Sequence, residues 1–97
     1  MKDYELHNNV EKHQYEFHIS DYTPKIEYIL VKDEIYLTHT EVPAGLEGKG
    51  IGSRLILSTL QDIESKNLKL IPLCPFVAVY LKRHPEWKRI LKPNINV

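Results

Sequence analysis

Hydrophobic and polar positions alternate strictly from Gln14 to Ile19, with Tyr15, Phe17 and Ile19 on one side and Gln14, Glu16 and His18 on the other. A period of two predicts a half-buried strand. Ser20 to Pro24 predicts a turn. Lys25 to Val31, rich in β-branched and aromatic residues, predicts a second strand, and after the polar break Lys32-Asp33-Glu34 the run Ile35 to Val42 predicts a third. Residues 25–42 then form a hairpin, and the three strands an antiparallel meander. Pro43-Ala44-Gly45-Leu46 breaks this pattern. Beyond it the period changes. Leu55, Ile56, Leu60 and Ile63 recur at helical spacing, while Arg54, Ser58, Gln61, Asp62 and Ser65 fall mostly opposite, which predicts an amphipathic helix over Ile51 to Lys66. Asp62 and Lys66 are an i,i+4 pair, and Asn67 suits a C-cap. The apolar run Leu68 to Leu73 predicts a strand buried on both faces. Strand, helix and strand in this order imply a parallel βαβ unit. Pro75 fits the first turn of a second helix over Phe76 to Arg83. His84-Pro85 ends that helix, and Trp87, Ile90 and Leu91 form a short segment closing back on the core. The first dozen residues are polar and are expected to be loosely held. The pattern as a whole predicts an α+β fold with α/β-like character: a mixed sheet and two main helices.

At 97 residues the chain is expected to be one domain, large enough to bury about 60–65% of its unfolded surface. Thirteen basic and thirteen acidic residues leave no net charge, so no overall field draws it to nucleic acid or a membrane. Lys82, Arg83, Lys88, Arg89 and Lys92 do cluster near the C-terminus, as a solvated face or a phosphate contact. The single cysteine, Cys74, excludes an internal disulfide and suits a reducing compartment. The N-terminus has no apolar signal segment, and Leu70 to Leu81, interrupted by Pro72 and Pro75, is too short to span a bilayer. A cytoplasmic protein, monomeric or weakly dimeric, is expected.

The stretch Glu47-Gly48-Lys49-Gly50-Ile51-Gly52 lies between a predicted strand and a predicted helix. Glycines allow a tight turn and a close ligand approach. A helix that starts there points free N–H groups and its positive dipole end into the gap, which suits a phosphate or pyrophosphate. Two common phosphate motifs fail. The P-loop would need its first glycine at Pro43 and its hydroxyl residue at Gly50. The dinucleotide fingerprint would need a small residue at Ser53 and an acid about 20 residues on, yet nothing acidic lies between Glu64 and Glu86. Strand, short loop, x-x-G-x-G, helix fits better, with Gly50 and Gly52 as the two glycines; a plain tight turn capped by Gly48 and Gly50 is the simpler alternative.

In a βαβ unit the C-terminal strand ends lie side by side, so Thr40, Glu41 and Val42 should approach Leu73 and Cys74 beneath the glycine loop. His39 and Glu41, two apart, share a face; Thr38 and Thr40 face the other way. Glu41 is a candidate general base for an attacking amine, or a solvated strand-end charge; His39 could share or replace that role. Cys74 is either an inert core thiol or, at a strand end before a helix N-terminus, a thiolate able to act as a nucleophile with His39 as its base. Tyr80 could protonate a departing thiolate, or simply fill the core. His7, His13, His18 and His84 show no metal-ligand spacing, and no metal site is expected.

Four blocks taken together, Thr38-His39-Thr40-Glu41-Val42-Pro43, Glu47 to Ser53, Leu68 to Val77 and Arg83-His84-Pro85-Glu86-Trp87, resemble the minimal single-domain GNAT-like N-acetyltransferases across about residues 14 to 91. The resemblance implies acetyl-CoA as cosubstrate and an unidentified amine as acceptor. It implies that two splayed parallel strands form a V that takes the pantetheine arm, with the backbone of Glu41 and Val42 pairing to it. The pyrophosphate would take N–H groups from Gly48, Lys49, Gly50, Ile51, Gly52 and Ser53, with Glu47 standing where Gln or Arg is usual. Cys74, Tyr80 and Arg83 would complete the coenzyme contacts, and Cys74 is the proposed catalytic cysteine of the family's P-L-C-P block. Compared with longer GNAT enzymes the chain lacks the N-terminal segment that builds the acceptor pocket. Acetyl transfer, directly or through Cys74, is thus the expected function. A non-catalytic coenzyme A-binding module or sensor is the alternative. An RNA-binding module is disfavoured by the neutral charge balance and the lack of interleaved aromatics.

Overall fold

The computed structural model of the chain describes residues 4–97. Five strands form one sheet in chain order: β1 (His7–Asn9), β2 (Gln14–Glu16), β3 (Lys25–Val31), β4 (Glu34–Glu41) and β5 (Lys69–Pro72). The first four pair antiparallel, and β5 pairs parallel to β4. Two helices, α1 (Ile51–Ser65) and α2 (Pro75–Arg83), follow β4 and β5. Short 3-10 segments of one turn at Ala44–Leu46 and two turns at Pro85–Ile90 complete the regular structure. The meander followed by a βαβ unit is thus present.

The periodicities explain the packing. Leu55, Ile56, Leu60 and Ile63 of α1 and Val77 and Leu81 of α2 are buried against Tyr15, Phe17, Ile26, Ile35, Leu37 and Leu70 of the sheet. Full burial of each such side chain contributes about 1.5–3 kcal/mol.

Three expectations need correction. The segment 4–12 is not simply loose: it contains β1, which pairs His7 with Glu16 and Asn9 with Gln14; residues 1–3 lie outside the described residues. The strand at 14–19 is regular only to Glu16, and its polar side is covered as well. Gln14 and Glu16 are buried because they satisfy each other (Nε2 to Oε2, 2.6 Å), with the His18 ring 2.7 Å from the other Glu16 oxygen. Ile19 instead bridges Tyr22 across a tight turn in which Ser20 takes φ 54°. Last, β5 is buried on both faces only at Leu70 and Ile71, and Leu73 is exposed beyond its end.

One irregularity decides the site. Glu27 lies opposite His39 but Tyr28 lies opposite Leu37, so Thr38 is an extra residue on β4, its hydroxyl donating to the Glu27 carbonyl. A bulge of this kind shifts the alternation by one. Ile35 and Leu37 face the core before it. Thr40, opposite the fully buried Ile26, faces the core after it. Without the bulge, His39 and Glu41 would follow Leu37 inward; with it, they emerge on the outer face beside Glu27 and Lys25.

Candidate functional site

β4 and β5 pair only as far as Leu37 and Pro72. The Leu37 carbonyl then accepts two backbone N–H groups, from Leu73 (3.0 Å) and Cys74 (2.9 Å), as β5 turns away into α2. Pro72 ends the ladder because proline brings no N–H. β4 continues to Glu41, so the two parallel strands open into a V with Cys74 at its apex.

The glycine loop closes the mouth of this V. Gly48 and Gly50 adopt φ 78° and 71°, the left-handed region, while a Cβ at either would meet nothing within 4 Å. Glycine is therefore needed for backbone conformation at these two positions. Gly52 has a different reason: a Cβ there would touch Val42 at 3.4 Å and Phe76 at 3.8 Å, where α1 packs down on the end of β4. Among the described residues no side chain caps α1, and no acidic residue occupies its first turn. The N–H groups of that turn thus have neither a side-chain acceptor nor a local carboxylate to offset the dipole. They face a groove of about 220 Å³ lined by Val42, Leu46, Glu47, Gly48, Gly50, Ile51, Gly52, Ser53 and Phe76. Lys49, between the two left-handed glycines, is exposed and does not line it.

The candidate chemical groups fall into two sets. On the outer face, His39 and Glu41 are about half exposed and lie 3.5 Å apart, beside the Lys25–Glu27 pair (3.0 Å). The hydrogen bond from Lys25 to Glu27 raises the lysine pKa, against a smaller opposing effect of burial. On the core face, Cys74 is buried and its thiol donates to the Thr40 hydroxyl at 3.3 Å. The thiol's partner is thus Thr40, and His39 is engaged with Glu41. Tyr80 lies further along α2, packed against His84 with ring centroids 4.2 Å apart and the planes tilted by 30°. Burial, and then the charge of Glu86, raise its pKa. It lines a small hollow between the helices with Ser53, Phe76 and Arg83. Cys74 does not line that hollow.

Three residues that matter to the site gave little signal in the sequence. Thr40 reads as a filler in a strand and becomes the partner of the thiol only after the bulge turns it inward. Phe76 reads as a helix-opening apolar residue but stays 58% exposed, at the junction of the glycine-loop groove and the hollow between the helices. Tyr22 reads as part of a turn, yet its hydroxyl packs against Gly45, where a Cβ would collide with it. That contact ties the β2–β3 turn to the segment leading into the glycine loop. Among the described residues no group of three or more His, Cys, Asp or Glu side chains is gathered to hold a metal ion, and no helix is long and apolar enough to cross a membrane.

Comparison with known proteins agrees with this geometry. The profile of the GCN5-related N-acetyl-transferase family matches residues 14–90. No curated protein matches the chain. Among solved structures, the fold is similar to the NMR solution structure of a GCN5-like protein from Staphylococcus aureus, described as a candidate N-acetyltransferase. The identity is 23% and the TM-score 0.69, over 95% of this chain and 91% of that one.

Proposed function

The chain belongs to the GCN5-related N-acetyltransferase family, and from that premise we propose that it transfers an acetyl group from acetyl-CoA to an amine. The observation that carries this reading is the uncapped start of α1 at the mouth of the V between β4 and β5. A diphosphate suits that groove because N–H donors and the dipole end converge on it. The residues fit the group, with one counter-feature: Glu47 on the groove wall brings a negative charge toward it. The pantetheine arm would run into the V, along the β4 backbone at Glu41 and Val42, and carry the thioester toward Leu37 and Cys74.

The acceptor amine would come from the outer face, where Glu41 and His39 stand exposed. The amine nitrogen attacks the thioester carbonyl carbon and its proton passes to Glu41, directly or through one water. The carbon–sulfur bond then breaks, and the coenzyme leaves as a thiolate that takes its proton from the Tyr80 hydroxyl or from water. In the two-step alternative the Cys74 sulfur first displaces coenzyme A, forming an acetyl thioester, and the amine then displaces the cysteine. That route requires Cys74 to leave Thr40. A cytoplasmic setting, consistent with the lone cysteine, is part of the proposal.

Purified protein mixed with acetyl-CoA and a panel of amines should release coenzyme thiol over many turnovers only when an acceptor is present; without one, the two-step route releases at most one equivalent. Cys74→Ala decides the route: retained turnover leaves direct attack, and lost turnover with coenzyme binding intact selects the acetyl-cysteine. Binding of coenzyme A without turnover for any amine would make the protein a coenzyme-binding module.

A further inference from the structure

The polar side of α1 does not simply face solvent. Arg54, Ser58 and Gln61 stand at i, i+4 and i+7 on one face of the helix, over about 10 Å. The segment before β1 lies against that face. The Tyr4 ring packs on Phe17, just beyond β2, with centroids 5.4 Å apart, and the Arg54 guanidinium lies over Tyr4 at 5.6 Å from its centroid. These three side chains line a cavity of about 390 Å³ with Leu57, Ser58 and Gln61. It shares no lining residue with the glycine-loop groove or with the hollow between the helices. Its floor is apolar, with Phe17 only 1% exposed, and its α1 wall is polar. Among the described residues the Ser58 hydroxyl and the Gln61 amide make no side-chain hydrogen bond. A guanidinium carries five N–H donors, so its contact with the Tyr4 ring is compatible with a carboxylate at its edge.

We propose that this cavity is a second binding site, for a small aromatic carboxylic acid: the ring packs against Tyr4, Phe17 and Leu57, and the carboxylate is received by Arg54 and Ser58, with Gln61 at the outer end. A space of a few hundred Å³ with an apolar floor and a few convergent polar groups is of the kind that holds small molecules. An aromatic wall favours a planar body. One guanidinium beside two neutral hydrogen-bonding groups suits a monoanion, and its fork matches a carboxylate. Ser53 lines the donor groove and Arg54 follows it in the chain, but a step of about 100° around the helix sends the two side chains to different sites. The cavity therefore lies on another side of α1 from the coenzyme, and its occupancy is independent of the acetyl-CoA reading.

Titration of isotope-labelled protein with 3-phenylpropionate, followed by NMR, tests this. Backbone signals of Phe17, Leu57 and Ser58 should shift and saturate in the millimolar range, while those of Gly48 and Gly50 stay in place. The uncharged 3-phenyl-1-propanol should bind about tenfold more weakly, as the loss of a charge-assisted hydrogen bond implies. Arg54→Gln should erase that difference by weakening the acid alone. Because Arg54 also packs on Tyr4, Ser58→Leu serves as a second variant: it keeps the guanidinium, places a strong helix former in α1, fills the cavity and should abolish binding of both probes. Circular dichroism confirms that each variant is folded. No shifts in the wild type, shifts centred on Gly48 and Gly50, equal affinity for acid and alcohol, a difference kept by Arg54→Gln, or unaltered binding to Ser58→Leu each overturns the site. All of these leave the acetyl-CoA reading in place, and failure of coenzyme A to bind would leave this site in place.

Discussion

The two ends of α1 are finished in opposite ways. At the C-terminal end the carbonyls are taken: the Leu68 N–H reaches back to Ile63 at 3.1 Å and the Asn67 N–H to Glu64 at 3.0 Å, with Asn67 turned to φ 57°. This is the closure that ends many helices, with Asn67 supplying the left-handed residue just past the C-cap Lys66. Side chains reinforce it. Asp62 accepts the buried Tyr15 hydroxyl at 2.6 Å and pairs with Lys66 at 2.8 Å. Burial, and then the bond to Asp62, raise the Tyr15 pKa, so this tyrosine stays protonated as donor. At the N-terminal end Gly50 takes the left-handed turn without offering a side chain, and the first-turn N–H groups open onto a groove. One end is closed by the chain's own groups; the other is the end at which the proposed diphosphate would bind. A cap at the N-terminus would contribute about 1 kcal/mol, and it would also occupy the donors a diphosphate needs.

Substitutions can break this contrast. The largest effect is expected for Gly50→Val. A β-branched residue in the left-handed region costs about 1–2 kcal/mol, and the displaced turn should weaken coenzyme A binding about a hundredfold. Unchanged affinity by calorimetry would remove the open end as a binding site. At the closed end, Tyr15→Phe should lower unfolding free energy by about 1–1.5 kcal/mol in urea melts, with coenzyme affinity unaltered. Asn67→Ala should cost about 1 kcal/mol for the left-handed backbone, again without effect on binding, while Asn67→Gly should be near neutral. A change in coenzyme affinity from either closed-end variant would show that the two ends are coupled.

A smaller effect concerns acid. Burial pushes the Glu16 carboxyl upward, but hydrogen bonds from Gln14, His18 and Asn9 outweigh it and hold the pKa below the ordinary carboxylate value. A lowered folded-state pKa means that this stabilisation is present above the unfolded value and is lost as pH falls through the folded one. Glu16→Gln should therefore flatten the acid limb of stability below about pH 4.5, measured as midpoint against pH. The smallest expected change sharpens the open end. Glu47→Gln removes the carboxylate from the groove wall and should tighten coenzyme A by about threefold, an effect that high salt diminishes. Weaker binding would mean that Glu47 serves the ligand by another route.

Much of the fold was legible because its signals are local. The change of period from two to 3.6 across Val42 and Ile51 set the strand–helix boundary, and Gly50 and Pro75 marked both helix starts to within a residue. β1 was not legible, since His7-Asn8-Asn9 carries no apolar alternation; it forms because the edge of β2 offers it a ladder. The candidate site was legible at its loop and less so at its chemistry. Alternation put His39 and Glu41 on one face, where they are found. It could not tell that Thr40, and not His39, would meet the Cys74 thiol, nor that Phe76 would remain uncovered.

The amino-acid order by itself determined the helix faces and the glycine turn that demands left-handed backbone, because each follows from the geometry of neighbouring residues. Only the tertiary structure decided where the strands part, which way β4 faces after Thr38 and which side chains stay bare along α2. Those outcomes depend on a bulge set by a partner strand and on packing between elements far apart in the chain, and a local pattern holds no record of either.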